Sequence, residues 1–163
     1  MAKNIKPVPL AITIVVAVIL QFALIAADCV QNPTKVARNF AEAYYYLDAD
    51  MQDYLCADLA KKEQVVDSYL YRKNLEASQR GLPVNYLRQK FIKMHLSVAA
   101  SGPDTVKLHL EGTTRVCINP VFMLVGKLFQ IGQDYSVDER IELIKENGQW
   151  RVCGNPFGIN HPV

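Results

Sequence analysis

The sequence lacks an excess of charge of either sign. It contains 18 Lys and Arg residues against 16 Asp and Glu residues, a formal net charge of +2. Two of the basic residues, Lys3 and Lys6, lie in the first 27 residues, which contain no acidic residue, so the rest of the chain is formally neutral. A neutral domain has no broad positive field that would attract a phosphate backbone. We therefore expect no nucleic-acid partner.

The sequence also lacks the motifs of common catalytic and cofactor sites. It has no C-x-x-C, C-x-x-C-H or H-x-x-x-H pattern, no glycine-rich phosphate loop and no G-x-S-x-G turn. These patterns supply zinc ligands, haem attachment, phosphate binding and an activated serine. His95, His109 and Glu111 could provide at most part of a surface metal site. We therefore expect no cofactor and a non-catalytic protein.

One long apolar run is present, over residues 8–27, in which Thr13 and Gln21 are the clearly polar side chains. About 20 residues in a helix rise about 30 Å, which matches the hydrocarbon core of a bilayer. The run predicts an uncleaved transmembrane signal-anchor within a segment 1–27, followed by an exported domain over 28–163. The residues predicted to lie in the anchor are Val8, Ile14, Val18, Gln21 and Ile25.

The orientation of this anchor follows from Lys3, Lys6 and the terminal amine, which favour a cytoplasmic N-terminus. In a bacterium, this places a single span in the inner membrane and the C-terminal domain in the periplasm. A cleaved signal peptide is the alternative, although the run is long and bulky Ile25 lies near the cleavage position. Lipid attachment at Cys29 is a further alternative, against which Asp28 argues.

The first part of the exported domain has helical patterns. Asn32-Pro33 is a typical helix start, because Asn caps free N–H groups and Pro tolerates the first helical position. A second, short helix is predicted near Asp50, and a third from about 62 to 80. Gly81-Leu82-Pro83 is predicted to end the third helix.

The second part has the alternating pattern of half-buried strands. Two strands are predicted around the turn at 101–104, and a third over about 135–146. Asn147-Gly148 predicts a type I′ hairpin that sets Leu143 opposite Val152 and Lys145 opposite Trp150. The predicted fold is α+β, with three helices packed on a curved antiparallel sheet of about four strands. The predicted inward residues are Ile92, Met94, Leu96, Val98, Val106, Leu108, Leu110, Val137, Ile141 and Leu143.

This order of elements, closing on an Asn-Gly hairpin and Gln149-Trp150-Arg151-Val152, resembles the nuclear-transport-factor-2-like, or cystatin-like, superfamily of α+β cones. The resemblance covers roughly residues 33–154, and it is nearest to small exported bacterial members with an N-terminal anchor. It implies a cone whose interior can hold a carboxylate. Glu139 has inward parity, and Tyr44-Tyr45-Tyr46 could line the cavity. The superfamily includes isomerases, secretion-system assembly subunits and binding modules, so the fold does not decide the function.

The four cysteines predict disulfide bonds in an exported domain. Cys117 and Cys153 lie in a near-repeat, Arg-Val-Cys-x-Asn-Pro, at two predicted strand ends. This favours a Cys117–Cys153 bond, with Cys29–Cys56 as its companion. With sequential strands, however, the first pair would be about 9.5 Å apart and the chain would have to converge. The alternative interpretation is that Asn-Pro merely ends a strand at both places.

The segment from Asn119 to Ile131 is unusually apolar and predicts a short helix. One face could close the open end of the cone, which is the purely structural interpretation. The other face would still be apolar and is predicted to contact a partner. The predicted interface consists of Phe122, Met123, Leu124, Phe129, Ile131 and Tyr45.

Together these patterns predict an accessory or assembly subunit of a bacterial inner-membrane complex. Its expected partners are other integral membrane subunits and the membrane itself. Two alternatives remain: a small-molecule-binding or isomerase-like domain that uses the cone cavity, and a secretion-apparatus assembly factor.

Overall fold

The structure is a computed structural model that describes residues 13–21, 32–61, 64–118 and 133–160. The chain divides into two compact units, Met1–Gln31 and Asn32–Val163. In the first unit, residues 13–21 form helix α1, which contains Ile14, Val18 and Gln21. Val8 and Ile25 lie outside the described residues.

The predicted transmembrane helix is wrong. Among the residues that the structure describes, no helix is both long enough and apolar enough to cross a membrane. The prediction rested on the hydropathy of the run over 8–27 alone.

The second unit begins with helix α2 (Pro33–Tyr46). The Asn32 side chain accepts a hydrogen bond from the Thr34 N–H at 3.0 Å, and Pro33 occupies the first turn. The helix ends at Leu47, whose backbone is left-handed with φ 58°. The predicted helix start at Asn32-Pro33 is therefore confirmed. The buried face of α2 consists of Val36, Ala37, Phe40 and Ala41.

The predicted second helix is divided in two, a 3-10 helix (Ala49–Tyr54) and a single turn α3 (Ala57–Ala60). Between them, Leu55 forms a parallel bridge with Val152, and the Cys56 N–H donates to the Val152 carbonyl at 2.9 Å. This extended pairing with the sheet interrupts the helix.

Helix α4 (Val65–Gln79) corresponds to the predicted third helix and buries Val66, Tyr69 and Ala77. Gly81 adopts φ 65°, and the Leu82 N–H donates to the Ala77 carbonyl at 2.9 Å. The predicted end of this helix at Gly81-Leu82 is confirmed. A 3-10 turn (Val84–Leu87) leads into the sheet.

The sheet is an antiparallel meander in the order β1-β2-β3-β4. Asn147 and Gly148 have φ of 51° and 80°, both positive as a type I′ turn requires. Their turn pairs Leu143 with Val152 and Lys145 with Trp150, which confirms the predicted register. The strands are β1 (Gln89–Ser101), β2 (Thr105–Val116), β3 (Asp134–Glu146) and β4 (Gln149–Cys153).

One face of this sheet, here called the inner face, packs on the helices. Val106, Leu108 and Leu110 of β2 are buried on it, with Val137, Ile141 and Leu143 of β3. They share one core cluster with Phe40 of α2, Met51 and Val66. The α+β class and the four-stranded antiparallel sheet agree with the sequence prediction.

The predicted inward set is wrong at one position of β1, Ile92. A register shift between Phe91 and Lys93 makes Ile92 an extra residue, so Ile92 is 38% exposed and Phe91 packs against the core instead. Such a bulge inverts the alternation that the prediction assumed. Val98 lies on the inner face opposite Leu108, as predicted, but its side chain is 61% exposed.

The predicted disulfide pairing is also wrong, although a disulfide is present. Cys153 is bonded to Cys56, with a Cα–Cα distance of 5.4 Å, and Cys117 is a buried free thiol. Cys153 lies beside Glu142, and Glu142 lies beside Lys107 of β2. Cys117 is ten residues farther along the chain, so it lies about 30 Å away, near the other end of the sheet. Cys29 lies outside the described residues.

Candidate functional site

A cavity of about 250 Å³ lies between α2, α4 and the inner face of the sheet. We call it the tyrosine pocket, because three tyrosines form much of its wall. Helix α2 and helix α4 supply these rings, β1 and β3 supply polar groups, and the C-terminal turn supplies one more ring. The lining residues are Tyr44, Tyr45, Leu47, Tyr69, Lys73, Leu87, Gln89, Glu139 and Phe157.

The aromatic wall is built around Tyr44. Its ring stacks on Tyr69 with a centroid distance of 4.4 Å and an interplanar angle of 19°. The Tyr45 ring meets it edge-on at 5.4 Å and 78°. Successive helical residues point about 100° apart, so Tyr46 leaves this cluster and lies under Lys90, whose Nζ is 4.9 Å from the ring centroid.

Two backbone contacts hold these rings in place. The Tyr44 hydroxyl donates to the Phe157 carbonyl at 3.0 Å, and the Tyr69 hydroxyl donates to the Tyr44 carbonyl at 3.3 Å. Phe157 belongs to a 3-10 turn (Pro156–Gly158) and has a left-handed backbone with φ 52°. This conformation brings its ring to 4.8 Å from Tyr44 and 5.6 Å from Tyr45. The pocket therefore joins residues that are more than 100 positions apart.

Glu139 is the carboxylate of the pocket. It lies on the inner face of β3 between the buried residues Val137 and Ile141, and opposite Leu110 of β2. Its side chain is half-buried. Within the described part of the chain, its carboxylate accepts no hydrogen bond and forms no ion pair, and the Tyr45 hydroxyl likewise has no hydrogen-bond partner. Two polar groups in the pocket are therefore available to a ligand.

Burial controls the ionisation of the tyrosines. Desolvation by burial is the main cause that raises the pKa of Tyr44, of Tyr45 and of Tyr69. For Tyr45, the negative charge of Glu139 raises the pKa further. All three phenols are therefore protonated at neutral pH and can act as hydrogen-bond donors.

The raised tyrosine pKa values predict a loss of stability at alkaline pH. Each phenol has an ordinary pKa of 10.0 and a higher pKa in the fold. Each protonated phenol therefore contributes to the free energy of unfolding. This contribution is complete below pH 10 and is lost as the pH rises toward the folded-state pKa, because the unfolded chain then releases the proton first. Urea denaturation at pH 8, 10 and 11 measures this slope. We expect a shallower decline for Tyr69→Phe, since Tyr69 is buried.

Tyr71→Phe is the matched control, because Tyr71 lies on the same helix and is 62% exposed. It should decline with pH as the unmodified chain does. A Tyr69→Phe protein with an unchanged slope above pH 10 would contradict burial of the Tyr69 phenol.

The outer face of the sheet is charged. Lys107 pairs with Glu142 at 3.4 Å, and His109 pairs with Asp138 at 2.6 Å. His95 lies opposite Glu111, so the two histidines do not face each other. In the four described ranges, no group of three or more His, Cys, Asp or Glu side chains could hold a metal ion.

Of the residues predicted to contact a partner, one lies in the tyrosine pocket and the others lie outside the described residues. Tyr45, predicted as a partner contact, lies half-buried in the tyrosine pocket. The predicted helix over the segment from Asn119 to Ile131 lies outside the described residues, as do its interface residues Phe122, Met123, Leu124, Phe129 and Ile131. The sequence reasoning did identify Glu139 as inward, but it did not identify Lys73, Gln89 or Phe157 as pocket residues. Phe157 carried no periodic signal, because it lies in a turn.

No protein-family model matches this chain, and no curated protein matches it. The function must therefore be inferred from the pocket itself.

Proposed function

We propose that the domain over residues 32–160 binds a small organic ligand in the tyrosine pocket, through an aromatic or apolar part of that ligand. The observation that carries this proposal is the pair of unused polar groups, the Glu139 carboxylate and the Tyr45 hydroxyl, beside a wall of aromatic rings. Ligand sites typically combine such walls with a few convergent polar groups. A volume of about 250 Å³ suits a ligand of roughly one ring and a short chain.

The proposal is binding and not catalysis. Proton transfer by Glu139 would need its carboxylate to be held against a reacting group. In the part of the chain that the structure describes, the Glu139 carboxylate forms no hydrogen bond and no ion pair that would orient it as a general base. The tyrosine hydroxyls of Tyr44 and Tyr69 are already committed to backbone carbonyls.

Two further expectations are supported by particular features and stay proposals. Helices on one face of a four-stranded antiparallel meander, with a carboxylate facing them, support a relation to the nuclear-transport-factor-2-like cones. The Cys56–Cys153 disulfide supports an oxidising compartment such as the periplasm. An accessory role in a membrane complex stays a prediction, because most of its predicted interface lies outside the described residues.

Titration of the isotope-labelled, oxidised full chain with phenol, indole and benzylamine tests the proposal. We expect saturable changes in the NMR resonances of Tyr44, Tyr45 and Glu139 with at least one probe at millimolar concentration. Tyr45→Ala removes one ring and one hydroxyl and should weaken binding by about tenfold, or ~1.4 kcal/mol.

Tyr71→Ala serves as the control, because it removes an exposed tyrosine outside the pocket. Its affinity should match that of the unmodified chain. Changes that do not saturate with any of the three probes, or that map to other residues, would overturn the proposal.

A further inference from the structure

We infer that the ligand of the tyrosine pocket is an organic cation whose ammonium group pairs with Glu139. This inference rests on the proposed function and specifies its ligand class. It joins three features of the pocket: a carboxylate on an apolar sheet face, nearby cations that already have partners, and aromatic rings around the remaining space.

The first feature is the surroundings of Glu139. Its strand neighbours on the inner face, Val137 and Ile141, are buried, and so is Leu110 opposite it. On this apolar face the Glu139 carboxylate has no counter-ion among the described residues, so an opposite charge placed beside it would be attracted to it. A cationic ligand would supply this pairing, whereas an uncharged ligand could at most donate a neutral hydrogen bond to the carboxylate and would leave its charge without a counter-ion.

The second feature is that the cationic side chains near the pocket already have other partners. The Lys73 Nζ lies 2.8 Å from Glu76, and this hydrogen bond is the main cause that lowers the pKa of Glu76. Arg80 binds the same carboxylate at 2.6 Å. The Arg72 guanidinium donates to the Ile159 carbonyl at 3.1 Å. Glu139 forms an ion pair with none of these groups, so its negative charge stays available inside the pocket.

The third feature is the aromatic wall. The rings of Tyr44, Tyr45 and Phe157 lie within 4.8–5.6 Å of one another, measured between centroids. Ring faces carry the negative part of the quadrupole and attract ammonium groups, with a strength that rises when the site is dry. The Tyr45 hydroxyl oxygen can accept a hydrogen bond from the same ammonium group. A carboxylate ligand would instead be repelled by Glu139.

The test uses three probes with the same ring and nearly the same length, namely 2-phenylethylamine, 2-phenylethanol and 3-phenylpropionate. The first is a cation at pH 7, the second is neutral and the third is an anion. NMR titration of the full, oxidised chain at pH 7 should give at least a tenfold lower Kd for the amine than for the alcohol. The propionate should bind more weakly than the alcohol.

Glu139→Gln removes the charge and keeps the shape of the side chain. We expect it to reduce the preference for the amine over the alcohol to about twofold or less. Glu142→Gln is the matched control, since Glu142 lies on the same strand but on the outer face, beside Lys107. It should keep the full preference.

The outcomes separate this inference from the proposed function. If the alcohol or the propionate binds at the pocket resonances as tightly as the amine, the cation inference fails and the binding function stands. If none of the probes binds there saturably, both fail. The preference of the unmodified chain decides the first point even if Glu139→Gln does not fold.

Discussion

Reduction of the Cys56–Cys153 disulfide is expected to lower the free energy of unfolding by about 4 kcal/mol, within a range of about 2–5 kcal/mol. The two cysteines are separated by 97 positions, so the bond closes a loop that spans most of the domain. Closing so large a loop removes much conformational freedom from the unfolded chain. Urea denaturation with and without reductant measures the difference.

A double variant, Cys29→Ala with Cys117→Ala, is the control for this prediction. It leaves Cys56 and Cys153 as the two cysteines, so its loss of stability on reduction should equal that of the unmodified chain. Equal stability with and without reductant, or non-reducing peptide mapping that recovers Cys56 as a free thiol, would contradict the bond.

Phe40→Ala is expected to lower the free energy of unfolding by about 3–5 kcal/mol. Phe40 is fully buried at 0% exposure, and it stacks on Phe157 with centroids 5.7 Å apart and planes 6° apart. Its ring also lies 6.2 Å from that of Tyr44. The truncation leaves a cavity behind the aromatic wall of the tyrosine pocket. Equilibrium denaturation measures the change, and ligand affinity should fall together with stability.

Two controls bracket the effect of Phe40→Ala. Phe40→Leu keeps most of the apolar volume and should cost clearly less than Phe40→Ala. Glu42→Ala changes an exposed residue of the same helix and should alter stability by about 0.5 kcal/mol or less. A loss below about 1 kcal/mol for Phe40→Ala would show that the ring is not a central core residue.

Local signals were the part of the fold that could be predicted from the sequence. Asn32-Pro33 and Asn147-Gly148 each favour one backbone conformation locally, Asn32 through its capping side chain and Gly148 because it lacks a Cβ, and both were found where expected. The hairpin register then followed from the turn, because a two-residue loop leaves one pairing. These features depend on neighbours along the chain, so spacing alone was sufficient to find them.

Features that depend on distant neighbours could not be predicted. The break at Leu55 exists because Val152 pairs with it, and the same pairing brings Cys56 to Cys153. The bulge at Ile92 has no composition signal, since Phe91 and Ile92 are both apolar. The near-repeat around Cys117 and Cys153 was misleading, because similar strand ends do not have to lie at the same end of a sheet.

The tyrosine pocket illustrates the same limit. Parity placed Glu139 on the inner face, but the prediction grouped Tyr46 with Tyr44 and Tyr45 as cavity lining, whereas Tyr46 lies under Lys90. The contact between these groups required the packing of α2 on the sheet and the left-handed turn at Phe157. Neither of these could be inferred from residue spacing.

The two register shifts in β1 affect whether the sheet edge can pair with a strand of another molecule. Within the described residues, β1 pairs with β2 and with no other strand, so its second edge presents backbone N–H and C=O groups. A long regular edge of this kind can add a strand from another molecule. The register shifts at Phe91/Lys93 and Val98/Ala100 interrupt the even spacing that such addition needs, and Lys93 adds an exposed charge. The same bulge that brings Ile92 to the surface thus protects the sheet edge from intermolecular β-pairing and aggregation.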